Sequence, residues 1–318
     1  MNADDDGDGG PTANTTGGGG NNELPMIRAA LIDVSGTLHV GRNAVPGAIS
    51  ACRRLLQRQR EFGGPRVLFL TNTSQISSVE LLSRLREAGF DESAIPSADS
   101  VMTSVGATRM FLLDNGLRPY CLLEDALLET DLRDVDTTGD PNCVLVGLAP
   151  GKLDYGRLNV AYRLLLRWRG EDEIASSSVD GQPRPPPPPR LIAVHRSERH
   201  RDADGMMSLG PGGFVSLLEN AVPGPASAAR VVGKPSRDFY LAALSRLGVD
   251  DDPSAAIMVG DDVAGDVRGA LDAGFGRAVL VRTGKYVGGD ETPGEGAAPT
   301  LTVDSIVEAV DYILSNSG

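Results

Sequence analysis

The sequence predicts an α/β protein in which a parallel β-sheet, covered by helices on both faces, is interrupted by an inserted α/β unit. Short continuous apolar runs alternate along the 318 residues with segments whose apolar residues recur at helical spacing. Polar residues suited to chemistry follow the ends of several of these runs. Because ligands of open parallel sheets bind beyond the carboxyl ends of the strands, this placement supports the same architecture.

The N-terminal part of the sheet is predicted from two strand and helix pairs. Strands are expected over residues 29–32 and 67–70, and helices over 48–56 and 79–88. Pro46 suits the first turn of the earlier helix, because proline has a preset φ and needs no amide donor there. The later strand runs directly into Thr71-Asn72-Thr73-Ser74.

An inserted α/β unit is predicted over residues 103–212. Its strand candidates are 120–123, 144–148 and 191–194, and its helix candidate is 158–168. The polar segment 170–190 ends in five prolines, which cannot continue a helix and prefer an extended chain. We interpret this segment as a surface loop, in preference to a docking site for a proline-binding domain.

The Gly-Pro-Gly-Gly run at 210–213 predicts a return to the first sheet. Strand patterns then resume at 230–232, 255–259 and 278–281. The core is therefore expected to consist of residues 25–102 and 213–318.

Composition indicates a soluble globular protein, with 41% hydrophobic and 23% charged residues. The formal net charge of -13 argues against a nucleic-acid partner. Residues 1–24 are acidic, rich in glycine and almost devoid of apolar side chains, so we expect a disordered tail. We find no targeting signal, membrane span or paired cysteine motif, and a cytoplasmic location with no membrane partner fits best.

The run Asp33-Val34-Ser35-Gly36-Thr37-Leu38 has the features of a phosphoryl-transfer nucleophile loop. A carboxylate ends a buried strand, glycine permits a tight turn, and the following hydroxyls and amides can hold an anion. Ser35 lies two positions after this carboxylate. A serine hydroxyl titrates far above neutral pH and cannot act as an effective general acid.

Three further segments supply complementary parts of one phosphate site. Thr71 and Asn72 offer a hydroxyl, an amide and backbone donors to phosphate oxygens. Lys234, in Gly233-Lys234-Pro235, would offset charge on the transferred phosphoryl group. The acidic segment contains Asp261, Asp262 and Asp266 and suits Mg²⁺, which prefers carboxylates, water and substrate oxygens.

Each segment also has a purely structural interpretation. The first could be an ordinary turn, the second a helix cap, the third a turn, and the acidic one a solvated helix start. We favour the chemical interpretation because all four segments follow predicted strands and complement one another.

These four segments, in this order and with an insertion after the second, resemble the haloacid dehalogenase superfamily. The similarity is to members with a Rossmann-like core and a large α/β cap of the C2 type. It implies that Asp33 is the nucleophile, that Lys234 assists catalysis, and that Asp33, the Ser35 backbone carbonyl and Asp261 bind Mg²⁺.

The same resemblance implies further roles. Thr71, Asn72 and Lys234 would bind the substrate phosphate alongside Asp33 and Ser35, and Asp262 and Asp266 would form a supporting acidic cluster. A homodimer through the cap is a further implication.

The predicted function is Mg²⁺-dependent hydrolysis of a small phosphorylated substrate, with P–N, pyrophosphate or activated ester bonds favoured because of Ser35. The main alternative is a weakly active or inactive phosphate-binding scaffold. The long insertion between Thr71 and Lys234 argues against a receiver-like signalling domain. Dehalogenation is the least favoured activity, because it has no use for the acidic metal cluster around Asp261. His195 is expected to be structural within the cap, because a lone histidine carries little site information.

Overall fold

The computed structural model describes residues 24–176, 188–201, 206–222, 224, 228–292 and 296–318. The predicted acidic tail, apart from Leu24, and residues 177–187 of the predicted proline-rich loop lie outside this range. Within the described part of the chain, no helix has the length and apolar character needed to cross a membrane.

A six-stranded parallel sheet forms the core and confirms the predicted α/β class. Its strands are β1 (Ala29–Asp33), β4 (Arg66–Thr71), β5 (Val101–Thr103), β12 (Ala256–Gly260), β13 (Arg277–Val281) and β14 (Leu301–Val303). Their order across the sheet is β14-β13-β12-β1-β4-β5. The strand order therefore reverses direction at β1, which places the end of β1 at the crevice where such sheets bind ligands.

Helices cover both faces of this sheet. The helices α1 (Ala48–Phe62), α2 (Ser78–Glu87) and α9 (Ile306–Ser315) pack on one face, and α7 (Arg237–Leu247) and α8 (Gly269–Asp272) on the other. Successive residues of β1 point alternately into the two layers, with Ile32 in the first apolar cluster and Leu31 in the second. A strand that is buried on both faces is apolar at every position, which explains the continuous run in the sequence.

A second parallel sheet, which we call the cap sheet, has four strands in the order β11-β8-β7-β6. They are β6 (Pro119–Leu122), β7 (Cys143–Val146), β8 (Leu191–Ala193) and β11 (Arg230–Val231). The helices packed on its two faces are α3 (Ser104–Asp114) and α4 (Asp125–Glu129) on one, and α5 (Tyr155–Ser176) and α6 (Gly212–Ala221) on the other.

Two short antiparallel hairpins complete the strand inventory of the described residues. The first pairs β2 (His39–Val40) with β3 (Asn43–Ala44), directly after residues 33–38, which we call the Asp33 loop. The second pairs β9 (Arg199–Arg201) with β10 (Met207–Leu209), between β8 and α6.

The structure corrects the predicted return to the core at residues 210–213. The strand at Arg230–Val231 pairs with β8 of the cap sheet, and Val215 and Leu218 of α6 pack into the cap core. A two-residue strand has no pattern that indicates which sheet it joins, and this explains the error. We propose that the inserted unit extends to about residue 232.

Two other local predictions also differ from the structure. Helix α5 extends to Ser176, so the first residues of the predicted loop 170–190 are helical. The edge strands β5 and β14 were not predicted, because each has only three residues and neither is a continuous buried run.

Candidate active site

Three strands bring the predicted site residues to one edge of the core sheet. Asp33 is the last residue of β1, Thr71 is the last residue of β4, and Asp261 follows β12 directly. Because β1 lies between β4 and β12 and all three are parallel, their carboxyl ends are adjacent. Lys234 reaches the same point from the end of cap strand β11.

Asp33 is buried, with 4% of its surface exposed. Its Oδ1 accepts a hydrogen bond from Lys234 Nζ at 2.6 Å. Its Oδ2 is also buried and has no hydrogen-bond partner among the described residues. Since a buried, unpaired carboxylate oxygen is costly, this atom is suited to a metal ion or a reacting group.

Lys234 lies between two carboxylates. Its Nζ donates to Asp266 Oδ1 at 2.6 Å as well as to Asp33, and all three side chains are at most 5% exposed. Burial alone would lower the pKa of Lys234, but the Asp266 and Asp33 carboxylates outweigh it and raise this pKa above its ordinary value. The ammonium therefore stays charged beside Asp33.

Asn72 holds the backbone of Lys234 through both ends of its amide. Its Nδ2 donates to the Lys234 carbonyl at 2.9 Å, and its Oδ1 accepts from the Lys234 amide at 3.0 Å. A Cβ at Gly233 would lie 2.6 Å from Asn72 Oδ1, so the approach requires glycine. The Asn72 amide thus positions Lys234, a contact that the sequence did not predict.

The acidic segment after β12 forms a short π-helical turn, Val263–Arg268. Asp262 caps this turn, because its Oδ1 accepts from the amides of Ala264 and Gly265. Asp266 Oδ2 accepts from the Asp262 amide at 3.2 Å. Burial raises the pKa of Asp266 to about 7, with the Asp33 carboxylate adding to the rise and Lys234 opposing it.

The carboxylates of Asp33, Asp261 and Asp266 fit a divalent cation. Each offers an oxygen within 4.8 Å of the others. Burial, followed by repulsion from Asp33 and Asp266, raises the pKa of Asp261 well above its ordinary value. A cation would relieve this repulsion, and an all-oxygen donor set suits Mg²⁺. Because both oxygens of Asp266 already accept hydrogen bonds, Asp33 and Asp261 are the better candidate ligands.

Ser35 belongs to a small cluster of hydroxyl groups. Its Oγ lies 3.1 Å from Thr73 Oγ1 and 3.5 Å from Thr71 Oγ1, and Thr71 Oγ1 donates to Thr73 Oγ1 at 2.9 Å. Thr71 is fully buried, whereas Thr73 and Asn72 line the cavity above the site. Thr73 is therefore a candidate substrate contact that the sequence analysis did not single out.

A cavity of about 790 Å³ lies above these groups. Core residues and cap residues both line it; the cap contributes Leu148, His195 and Ser197. This volume exceeds what one phosphate needs, so the cavity has space for the remainder of a substrate.

His195 links the cap to the core in this cavity wall. Its Nδ1 accepts from the Ser197 amide at 3.4 Å, so Nε2 carries the proton and donates to Ser74 Oγ at 3.0 Å. Ser74 Oγ also accepts from the Leu148 amide at 3.0 Å. Burial lowers the pKa of His195 to about 3, so the ring is neutral, which agrees with a structural role.

Comparisons with known proteins identify the family. A family model described as haloacid dehalogenase-like hydrolase matches residues 30–138, and one described as HAD-hydrolase-like matches residues 231–309. Haloacid dehalogenase-like hydrolase domain-containing protein 2 from Homo sapiens is 40% identical over 292 residues, covering 91% of this chain and 97% of the relative. The chain therefore belongs to the haloacid dehalogenase-like hydrolases, as predicted.

Other relatives and solved structures agree. Phospholysine phosphohistidine inorganic pyrophosphate phosphatase from Homo sapiens is 34% identical over 298 residues, 92% of this chain and 97% of that protein. The structure of 4-nitrophenylphosphatase from Thermotoga maritima aligns with a TM-score of 0.71 at 22% identity and covers 90% and 97% of the two chains. The magnesium complex of glycerol phosphate phosphatase from Mycobacterium tuberculosis aligns with a TM-score of 0.66 at 22% identity, covering 90% and 76%. At these identities the two structures establish a shared fold.

Proposed function

We propose that this protein is a Mg²⁺-dependent phosphatase that forms an aspartyl-phosphate on Asp33. The observation that carries the proposal is the environment of this carboxylate. One oxygen accepts from the buried Lys234 ammonium, and the other is buried without a partner beside Asp261. A second carboxylate and a lysine around a strand-end aspartate are the groups that phosphoryl transfer requires.

In the proposed reaction, an Asp33 oxygen forms a bond to phosphorus while the bond to the leaving group breaks. Water then attacks the phosphorus of the aspartyl-phosphate, releases phosphate and restores the carboxylate. Lys234 stabilises the negative charge of the transferred phosphoryl group throughout. The proposed phosphate contacts are Thr71, Asn72, Lys234 and Ser35.

We assign the Mg²⁺ site to the carboxylates of Asp33 and Asp261 and the Ser35 backbone carbonyl. When bound, Mg²⁺ supplies positive charge that reduces repulsion between the nucleophile and the phosphate. Asp262 and Asp266 support the site by capping the acidic turn and by holding Lys234. The described neighbours of Asp33 agree with this assignment, since they leave its Oδ2 free.

The proposed substrates are phosphoramidates, pyrophosphate and activated phosphomonoesters. Ser35 cannot donate a proton efficiently, so alkyl phosphates would lose assistance worth about 10²- to 10⁴-fold in rate. The human relative phospholysine phosphohistidine inorganic pyrophosphate phosphatase is named for substrates of this class, which supports the proposal. We further propose a cytoplasmic protein that forms a homodimer through the cap.

A second candidate is a phosphate-binding scaffold with little or no turnover. The hydroxyl cluster around Ser35 favours it, because in the described chain no carboxylate hydrogen-bonds to the Ser35 hydroxyl. The scaffold would still bind phosphate in the presence of Mg²⁺ but would release little or none from any substrate.

A substrate panel separates these candidates. Phospholysine, phosphohistidine, pyrophosphate, 4-nitrophenyl phosphate and glycerol phosphate are incubated with the full chain, with Mg²⁺ or with EDTA. We expect phosphate release with Mg²⁺ from the P–N, pyrophosphate or aryl substrates, and much slower release from glycerol phosphate. Absence of turnover across the panel, with Mg²⁺-dependent phosphate binding in calorimetry, would establish the scaffold instead.

A further inference from the structure

The loop after β13 contacts both halves of the proposed metal site. This loop contains Thr283, Gly284 and Lys285, none of which takes part in the proposed chemistry. Gly284 and Lys285 line the cavity, and the three residues lie between the Asp33 loop and the acidic segment.

Lys285 holds two neighbouring carboxylates. Its backbone amide donates to Asp261 Oδ2 at 2.6 Å, and its Nζ donates to Asp262 Oδ2 at 2.8 Å. The Lys285 side chain is 23% exposed, so this pair is largely removed from water. One residue thus fixes the carboxylate of a proposed ligand and the aspartate that caps the acidic turn.

Gly284 allows this close approach. Its φ is +57°, and a Cβ at this position would collide with Asp261 Oδ2 and lie 2.5 Å from the Gly36 Cα. Any side chain would therefore displace the Asp261 carboxylate, the Asp33 loop, or both. If the Asp261 carboxylate moved away from such a side chain, it would lose its hydrogen bond from the Lys285 amide.

Thr283 connects the loop after β13 to the Asp33 loop. Its Oγ1 donates to the Gly36 carbonyl at 2.5 Å. Gly36 itself has a φ of +103° and packs against the Asp261 carboxylate. The distance between the Asp33 loop and Asp261 is therefore set partly by Thr283.

We propose that Thr283, Gly284 and Lys285 are positioning residues that orient the Asp261 carboxylate and hold the Asp33 loop at the distance that Mg²⁺ requires. This inference rests on the proposed function, because it concerns the same metal site. Groups that orient metal ligands through hydrogen bonds commonly change metal affinity by about 10- to 100-fold when removed. The loop would thus set Mg²⁺ affinity without touching the substrate phosphate.

The first test compares Gly284→Ala with Gly289→Ala. Both glycines have positive φ, but a Cβ at Gly289 meets nothing within 4 Å, so this control carries the backbone strain alone. The dissociation constant for Mg²⁺ is measured by calorimetry, and folding is monitored by circular dichroism. We expect Gly284→Ala to weaken Mg²⁺ binding by about tenfold or more, and Gly289→Ala to leave it unchanged.

The second test uses Thr283→Val, which keeps the shape of the side chain and removes the donor. Its control is Thr292→Val, because Thr292 Oγ1 also donates to a glycine carbonyl, that of Gly289, on the exposed surface. We expect a smaller loss of Mg²⁺ affinity for Thr283→Val, in the same direction. The Mg²⁺ concentration for half-maximal activity should rise, while the substrate KM at saturating Mg²⁺ stays near the wild-type value.

The outcomes distinguish this inference from the proposed function. If wild-type protein binds Mg²⁺ and both loop variants bind it equally well, the loop has no positioning role and the inference is wrong. A wild-type protein that neither binds Mg²⁺ nor responds to it would overturn the proposed function first. If Gly284→Ala does not fold, Thr283→Val decides the question alone.

Discussion

In the proposed reaction, Ser35 is the residue expected to determine most directly which bonds are hydrolysed. Its hydroxyl lies among those of Thr71 and Thr73, 3.1 Å from the nearer oxygen. A hydroxyl in this position can orient a substrate by hydrogen bonding but supplies no proton near neutral pH. Leaving groups that need no protonation, or that take a proton from water, are consequently favoured.

Replacing Ser35 with an acid should change the substrate preference. We expect Ser35→Asp to raise kcat on glycerol phosphate by about tenfold or more, toward the 10²- to 10⁴-fold typical of general acid catalysis. Ser35→Asn is the matched control, since asparagine has the same shape as aspartate but cannot act as a general acid. Equal rates for the two variants, or no gain for Ser35→Asp, would show that the missing acid does not limit turnover.

Residues 71–74, at the end of β4 and in the loop after it, connect Ser35, Lys234 and the cap. Thr71 and Thr73 contact Ser35, Asn72 holds the Lys234 backbone, and Ser74 bonds to His195 of the cap. The loop follows a buried strand of the core sheet, so its position is fixed by the sheet. These residues therefore fix the positions of Lys234 and of the cap relative to the core sheet.

Loss of the Asn72 amide should misplace Lys234. We expect Asn72→Ala to lower kcat by about tenfold or more and the free energy of unfolding by about 2–3 kcal/mol, because two hydrogen bonds to buried backbone are lost. Asn115→Ala is the control, since the Asn115 amide donates to a carbonyl on the exposed surface. If folded Asn72→Ala protein keeps the wild-type kcat, Asn72 does not position Lys234 for catalysis.

The cap contact through His195 makes stability depend on pH. The folded protein keeps this imidazole neutral to a pKa of about 3, whereas the unfolded chain takes up a proton near pH 6.5. Between these values the unfolded state binds more protons, so the free energy of unfolding falls as the pH is lowered. This one group contributes a slope of about 1.4 kcal/mol per pH unit.

The measurement is urea unfolding of wild type and His195→Gln from pH 7 to pH 5. Glutamine keeps a donor for Ser74 but does not titrate, so its stability should fall less steeply over this range. Parallel curves for the two proteins would exclude His195 as the titrating group.

The sequence predicts elements well where burial is complete and poorly where it is not. Strands β1, β4, β12 and β13 follow the predicted runs to within one residue at each end, because all their positions except Arg66, the exposed first residue of β4, are buried. The edge strands β5 and β14 are short and only partly buried, so they were not predicted. The strand β11 was predicted, but its two residues did not indicate that it joins the cap sheet.

At the scale of the whole molecule, the site is assembled from segments that are far apart in the chain, since Thr283 Oγ1 donates to the Gly36 carbonyl across 247 positions. The proximity of Asp33, Lys234 and Asp261 could be predicted from the sequence, because each residue lies at or after the end of a strand. The role of Lys285 and the contact of His195 with Ser74 could not be predicted, because both depend on which loops come together in space.

The acidic cluster also makes a prediction about the stability of the molecule. Three buried carboxylates repel one another beside one lysine, so Mg²⁺ should stabilise the folded state by about 2.7 kcal/mol at a hundredfold excess over its dissociation constant. Thermal unfolding with Mg²⁺ or EDTA measures this effect. Asp261→Asn should remove the response to Mg²⁺, and an unchanged response would exclude Asp261 as a ligand.

The nucleophilic role of Asp33 is the central claim, and hydrolysis of 4-nitrophenyl phosphate by Asp33→Asn protein at saturating Mg²⁺ tests it most directly. The control is Asp251→Asn, an exposed aspartate paired with Arg28 on the surface. If Asp33 is the nucleophile, Asp33→Asn should lower the rate by about 10³-fold or more, and the control should keep the wild-type rate. Hydrolysis by folded Asp33→Asn at the wild-type rate would contradict this role.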